Sequence, residues 1–229
     1  LAHEIQNPLG GIKGMLQLLE RDLRDSGMET EPAKMMFSEI ERIERLLKQL
    51  LMHSHPMPIK SQSFNLHELL DTVLSFERSS HPGLRFTAYY DASLPDIEAD
   101  RDKLHQVFLN LVRNASEACP ADGRVRVLTR HCAHWELAGT NLDPTRRYIL
   151  VSIEDEGPGI PEELRKNIFK PLFSTKKQGT GLGLSISFRL VESHGGQLRY
   201  QPSERSGACF QVILPESQSE SLEENSPNF

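Results

Sequence analysis

The sequence predicts two classes of structure in one chain: an α-helical hairpin that pairs with a second copy as a dimeric four-helix bundle, then an α+β sandwich. Three observations predict it. A heptad stripe of apolar residues runs through residues 5–50. The segment "MHSHPMPIKSQ", residues 52–62, then breaks it with two prolines and no period. Beyond it, helix-like and strand-like patterns mix without regular βαβ repetition, which suits helices on one face of a mixed, largely antiparallel sheet.

Ile5, Leu9, Ile12, Leu16, Leu19 and Leu23 follow a 4-3-4-3-4 spacing, the seam of a helical bundle. Ser26-Gly27 is a helix stop. After Pro32 the stripe resumes at Met36, Ile40, Ile43, Leu47 and Leu50. One hairpin buries such a stripe poorly and two bury it well, so a homodimer is expected. The alternative is a hairpin packed on its own chain's second domain.

Next, "FNLHELLDTVLSF" reads as a helix capped by Asn65, and "RFTAYYD" as a strand. "DRDKLHQVFLNLVRNASEA" is a long amphipathic helix starting near Asp100. "RVRVLTR" alternates as a half-buried strand, and "YILVSIED" is a more buried one. Residues 130–147 are polar without a period and read as a long hairpin loop. A helix is expected from about Thr180 to His194, and "GQLRYQ" and "ACFQVILP" close the fold as strands. The expected domains are therefore 1–58, 59–216 and a disordered acidic tail, 217–229, inside a closing stretch with four glutamates and no lysine or arginine.

Composition excludes several classes. The chain has 229 residues, 38% of them hydrophobic, and a net charge of −6 without a long basic block. Nucleic acid is not expected as a partner. No apolar run reaches the roughly 18–20 residues of a membrane span, so no membrane contact is expected of this segment. Cys119, Cys132 and Cys209 share no metal-ligand spacing, and an odd count of free thiols suits a cytoplasmic protein. The chain opens on Leu1, not Met, so it reads as the C-terminal piece of something longer.

Four stretches in the second part of the chain carry chemistry. "NLVRNA" places Asn110 and Asn114 one turn apart on a helix face, where two amide oxygens suit a hard cation such as Mg²⁺. "DEGPGIP" puts Asp155 at the end of a buried strand, where its carboxylate can accept from an exocyclic amine such as adenine's. Gly157 and Gly159 let backbone approach a ligand there. "GTGLGLSI" runs Gly179, Thr180, Gly181, Leu182 and Gly183 into a helix whose free N–H groups can meet phosphates. Its spacing is not that of the dinucleotide-binding fingerprint. Between them, "NIFKPLFSTKKQ" reads as a mobile lid latched by Phe169 and Phe173, with Lys176 and Lys177 available to phosphate charge.

At the start, "LAHEIQNPLGG" sets His3 beside Glu4 and places Pro8 inside a helix. Pro8 lacks an N–H and clashes with the carbonyl of Glu4, so a kink is expected just after the pair.

In this order and spacing the set resembles the sensor histidine kinases, over residues 1 to about 215. "LAHEIQNPL" is similar to their phospho-acceptor box, "NLVRNA" to the asparagine box, and "DEGPGIP" and "GTGLGLSI" to the two glycine boxes. "FKPLFSTK" is similar to the phenylalanine box. The opening "LAHEIQNPLGGIKGMLQLLE" is most similar to the nitrogen-regulation (NtrB-like) kinases. The resemblance implies a dimeric helical hairpin joined to a Bergerat-type ATP-binding domain, with an upstream sensor domain missing from this chain. It implies phosphorylation of His3 from ATP with Glu4 as general base, and transfer to an aspartate of a cognate response regulator. Asn114 would hold Mg²⁺ with Asn110 beside it, Asp155 would read adenine, and the glycines would shape the pocket and hinge the lid. Asn7, four residues from His3, would orient a water against the regulator's phospho-aspartate. The chain departs from the family at "GACF", where Ala208 and Cys209 stand in a motif that often carries threonine.

Two other readings remain. Clamp-type ATPases of the same fold carry a glutamate to activate water where this chain has Asn110, and an amide is no base. A catalytically dead dimeric scaffold would bind without transferring phosphate. Incubation with γ-labelled ATP separates the three.

Overall fold

The computed structural model describes residues 2–40, 58–176, 180–203 and 207–217, and of residues 2–10 the backbone only. The chain divides into two compact units, Leu1–Met57 with Phe169–Ile186, and Pro58–Ile168 with Ser187–Phe229.

In the first unit, α1 spans Ala2–Asp25 and runs through Pro8 as one helix. Its end is a Schellman motif. Gly27, with φ +67, donates to Arg24 O at 3.1 Å, and Met28 donates to Leu23 O at 2.9 Å. A second helix, α2, covers 31–40, where the described part ends. Pro32 sits in its first turn, where a missing N–H costs nothing. Ala33 and Ile40 are buried, but Ile12, Met15, Leu18, Leu19, Met35 and Met36 are exposed in the single chain. Ile43, Leu47 and Leu50 lie outside the described residues.

The second unit is an α+β sandwich. Its sheet runs in the order β2-β4-β5-β7-β6. The strands are β2 (Arg85–Tyr89), β4 (Arg124–His131), β5 (Tyr148–Asp155), β6 (Gln197–Pro202) and β7 (Ala208–Pro215). Only β2 and β4 pair in parallel. The helices α3 (Leu66–Ser80), α4 (Arg101–Ala118) and α6 (Gly183–Ser193) are the long ones of the domain. Alternation sets the sheet's two faces. Val125, Val127, Val151, Ile153, Phe210 and Val212 are fully or almost fully buried on one face. Leu69, Leu70, Val73 and Leu74 of α3 and Leu104, Val107, Phe108 and Leu111 of α4 complete that core. Each side chain of this size contributes about 1.5–3 kcal/mol on burial.

Caps fix where the helices begin. Asn65 Oδ1 accepts from His67 N at 2.9 Å and Glu68 N at 3.3 Å. Asp100 Oδ1 accepts from Lys103 N at 3.2 Å, and Asp100 Oδ2 from Lys60 N at 3.0 Å. Both starts fall where the sequence places them. The expected start of α6 near Thr180 is corrected to Gly183, because Gly181 has φ +67 and cannot be a helical residue.

Three short elements have no counterpart in the sequence patterns. Strands β1 (Gln62–Phe64) and β3 (Ile97–Ala99) pair antiparallel as a separate two-stranded sheet, and α5 covers Glu162–Arg165. Three or four residues carry no readable period. The stretch 130–147 is also more than a loop. It holds a 3₁₀ turn at His134–Leu137, and Leu137 packs with Tyr148, Leu150 and Ile213 on the sheet's other face. Arg130 grips Glu136 through two bonds of 2.6 and 2.7 Å and holds its carboxyl below the usual range. Glu216, the last residue of the expected second domain, and Ser217, the first of the segment expected to be disordered, are held. Glu216 Oε1 meets His131 Nδ1 at 2.6 Å, and Ser217 Oγ donates to Asp96 O at 2.9 Å. No helix among the described residues is long and apolar enough to cross a membrane.

Candidate functional site

Asp155 ends β5 on the core side of the sheet, opposite Val125, and is 2% exposed. Its Oδ1 accepts the backbone N–H groups of Gly157 at 2.8 Å and Ala208 at 3.1 Å. Among the described residues Oδ2 accepts no hydrogen bond. One oxygen therefore fixes the carboxylate, and the other is uncommitted among the described residues. Burial pushes the Asp155 carboxyl up from its ordinary value, and the two N–H bonds oppose that shift.

Three glycines close around this group. A Cβ on Gly157 would lie 2.6 Å from Ala118 O and 2.9 Å from Asp155 Oδ1. Gly159 has φ +72, and its Cβ would meet Gly207 O at 3.0 Å. Gly207 has φ +87, and its Cβ would collide with the Asp155 carbonyl. Gly157 and Gly159 are among the glycines the sequence singles out; Gly207 is not, although the Ser206-Gly207 dipeptide just before the last strand is a turn signal.

The end of α4 meets this strand end, since Ala118 O is what crowds Gly157. One turn earlier stands Asn114, and one turn before that Asn110, both half-buried. Asn110 Nδ2 donates to Ser187 Oγ of α6 at 3.0 Å. The turn after Asp155 is tied down too, with Ile160 N donating to Tyr200 Oη at 3.4 Å. Asn110 and Asn114 thus lie along the second half of α4, whose last residue, Ala118, meets the turn that carries Asp155, Gly157 and Gly159.

These features are a fixed carboxylate, close-approach glycines and two helix amides at the end of an open α+β sandwich. Residues 99–218 match the family described as histidine kinase-, DNA gyrase B- and HSP90-like ATPase, and residues 1–55 match the His kinase A phospho-acceptor domain. This chain belongs to the sensor histidine kinases.

The kinase is 36% identical to the sensory histidine kinase/phosphatase NtrB of Azospirillum brasilense, over 94% of this chain and 54% of that protein. It is 37% identical to the protein of the same name from Salmonella typhimurium, over 94% of this chain and 60% of that one. Sporulation kinase C of Bacillus subtilis is 33% identical, with shares of 94% and 47%. The kinase chain thus spans about half to three-fifths of the length of these curated relatives. Among solved structures, the catalytic domain of histidine kinase ThkA superposes with TM-score 0.59 at 32% identity, covering 69% of this chain and 96% of that one. ThkA in complex with response regulator protein TrrA gives 0.62 at 30% identity, covering 94% and 60%.

The kinase's other expected site residues fall in the first unit. His3, Glu4 and Asn7 are on the first turns of α1. Phe169 and Phe173 are half-buried, while Lys176 is exposed, its N–H donating to Ser174 Oγ at 3.1 Å. Thr180 Oγ1 accepts from Leu182 N at 3.4 Å, and Leu182 is fully buried. Gly181 lies against the Leu172–Phe173 peptide: its Cβ would be 2.7 Å from both Leu172 O and Phe173 N. Leu172 itself has φ +65, unusual for leucine and a mark of local strain. Gly183 opens α6. Gly179 and Lys177 lie outside the described residues.

Proposed function

We propose that this chain autophosphorylates His3 from ATP and passes the phosphoryl group to an aspartate of a cognate response regulator. The observation that carries this reading is the union of two parts in one chain. One is a His-Glu pair inside a phospho-acceptor match. The other is a nucleotide-type site built around the half-committed carboxylate of Asp155.

Asp155 Oδ2 is suited to accept from the exocyclic amine of adenine, and Gly157, Gly159 and Gly207 let the ring and the backbone come close. Thr180, Gly181, Leu182 and Gly183 would offer backbone N–H groups to phosphates at the start of α6, and Gly179, outside the described residues, belongs to the same motif. Phe169, Phe173 and Lys176 belong to the segment that would cover the nucleotide. A ring nitrogen of His3 attacks the γ-phosphorus, ADP leaves, and Glu4 takes the ring proton. General-base help of this kind contributes about 10²–10⁴-fold.

A hard divalent cation fits the donor set. Asn110 and Asn114 offer neutral amide oxygens, and no cluster of three His, Cys, Asp or Glu side chains suited to a metal exists among the described residues. Asn114 would hold Mg²⁺ with Asn110 beside it, and the bound ion would offset charge on the phosphates. Asn110 in place of a glutamate disfavours ATP hydrolysis as the main task, because an amide takes no proton at neutral pH.

The exposed apolar residues of α1 and α2 favour a homodimer, whose second copy would cover Ile12, Leu19 and Met36. Relatives named kinase/phosphatase support a second activity, with Asn7 orienting a water against the regulator's phospho-aspartate.

The test is incubation with γ-labelled ATP. Acid-labile, base-stable label on the wild type and none on His3→Gln is expected, while free phosphate or no label overturns the reading. With a purified regulator, Asn7→Ala should keep the label and lose dephosphorylation, and Glu4→Ala should do the reverse. Loss of both activities in Asn7→Ala removes the phosphatase role.

A further inference from the structure

Serines in the helices of this protein mostly bond back to their own helix. Ser79 donates to Ser75 O, Ser80 to Phe76 O, Ser116 to Val112 O and Ser193 to Arg189 O. Ser187 does not. It is 1% exposed, one turn into α6, and its Oγ accepts Asn110 Nδ2 from α4 at 3.0 Å. Asn110 makes no other hydrogen bond among the described residues. A buried hydroxyl needs a partner, and here the partner is a residue of the candidate site on another helix.

We propose that Ser187 is the positioning residue for Asn110, holding its amide so that Oδ1 faces the cation–phosphate side of the site. This rests on the nucleotide reading above. An amide has one donor limb and one acceptor limb. When Nδ2 is committed to Ser187, the limb left for the ligand is the carbonyl, which suits a hard cation or its bound water. Without Ser187 the amide turns freely, and a donor limb facing the cation would repel it. The effect therefore falls on metal-coupled binding, while the adenine contact at Asp155 is untouched.

The experiment is calorimetry of ADP binding to the full chain, with Mg²⁺ and with a chelator. The affinity of Ser187→Ala for Mg²⁺–ADP is expected to fall about fivefold, the worth of one neutral hydrogen bond. Metal-free ADP affinity should stay within about twofold, because the adenine contact is unchanged. Ser187→Thr, which keeps the hydroxyl, should retain the wild-type values. If Ser187→Ala does not fold, Ser187→Cys, similar in shape but a weak acceptor, is read the same way. Equal losses with and without metal mean packing alone and overturn the inference, as does wild-type Mg²⁺–ADP affinity in Ser187→Ala. A wild type that binds no nucleotide would instead overturn the proposed function.

Discussion

Gly207 lies directly against Asp155. Its φ of +87 is open to glycine and strained for other residues, and a Cβ there would stand 2.7 Å from Asp155 Oδ1. Gly207→Ala is therefore expected to displace the carboxylate. Nucleotide affinity should fall at least about tenfold, and stability by about 1–2 kcal/mol for the backbone strain alone. Titration with a nonhydrolysable ATP analogue and a thermal melt check this. Unchanged affinity would mean that Asp155 does not touch the nucleotide.

Asp155→Asn tests the same oxygen from the other side. Asparagine keeps the size but can present an N–H where Oδ2 should accept. A folded variant with at least about a tenfold loss of nucleotide affinity is expected, the scale of a mispaired buried group. Near-normal affinity removes Asp155 from the site.

Gly181 faces the Leu172–Phe173 peptide with no room for a Cβ. Gly181→Ala should push Leu172 out of its φ of +65 and open the base of the 172–181 loop. Expected is a large drop in His3 labelling with the melt of the β-sheet unit little changed, measured by γ-labelled ATP and circular dichroism. Normal labelling would show that this contact is not needed for transfer.

His194 links α6 to the start of α4. Its Nε2 accepts Asp100 N at 3.1 Å, and its Nδ1 donates to Leu190 O at 2.7 Å, so the bonded ring is neutral. Burial holds its pKa below the ordinary 6.5, with Asp100 opposing the shift and Lys103 adding to it. The unfolded chain therefore takes up a proton first as pH falls. The stability His194 contributes is full above about pH 6.5 and is lost as pH falls through the folded-state value. His194→Gln should flatten part of the loss of melting temperature between pH 7 and 5. His67, also lowered by burial, leaves a remaining slope. An unchanged pH profile would count against His194 as a source.

Long periodic segments were legible because burial imposes their period. In the second unit the alternation of β4 and the apolar run of β5 read correctly, as did the caps at Asn65 and Asp100; in the first, α1 is a helix as its stripe predicts, although Ile12 and Leu19 are exposed in the single chain. Short elements were not. β1 and β3 each have three residues and exist through their pairing, Phe64 with Ile97. The start of α6 was misplaced because positive φ at Gly181 is set by the peptide it packs on.

The sequence by itself determined which residue types stand at the site, since Asn110, Asn114, Asp155 and the glycines lie in stretches whose local chemistry is readable alone. Only the tertiary structure decided what each atom is free to do. Asp155 has one oxygen spoken for because β7 brings Ala208 N beside it, 53 residues on in the chain. Asn110 has its donor spoken for because α6 brings Ser187 beside it, 77 residues on. Gly207 matters because that approach leaves no space for a side chain. Hydrogen bonds and exclusion act over a few ångströms, so their partners are fixed by the fold and leave no trace in local periodicity.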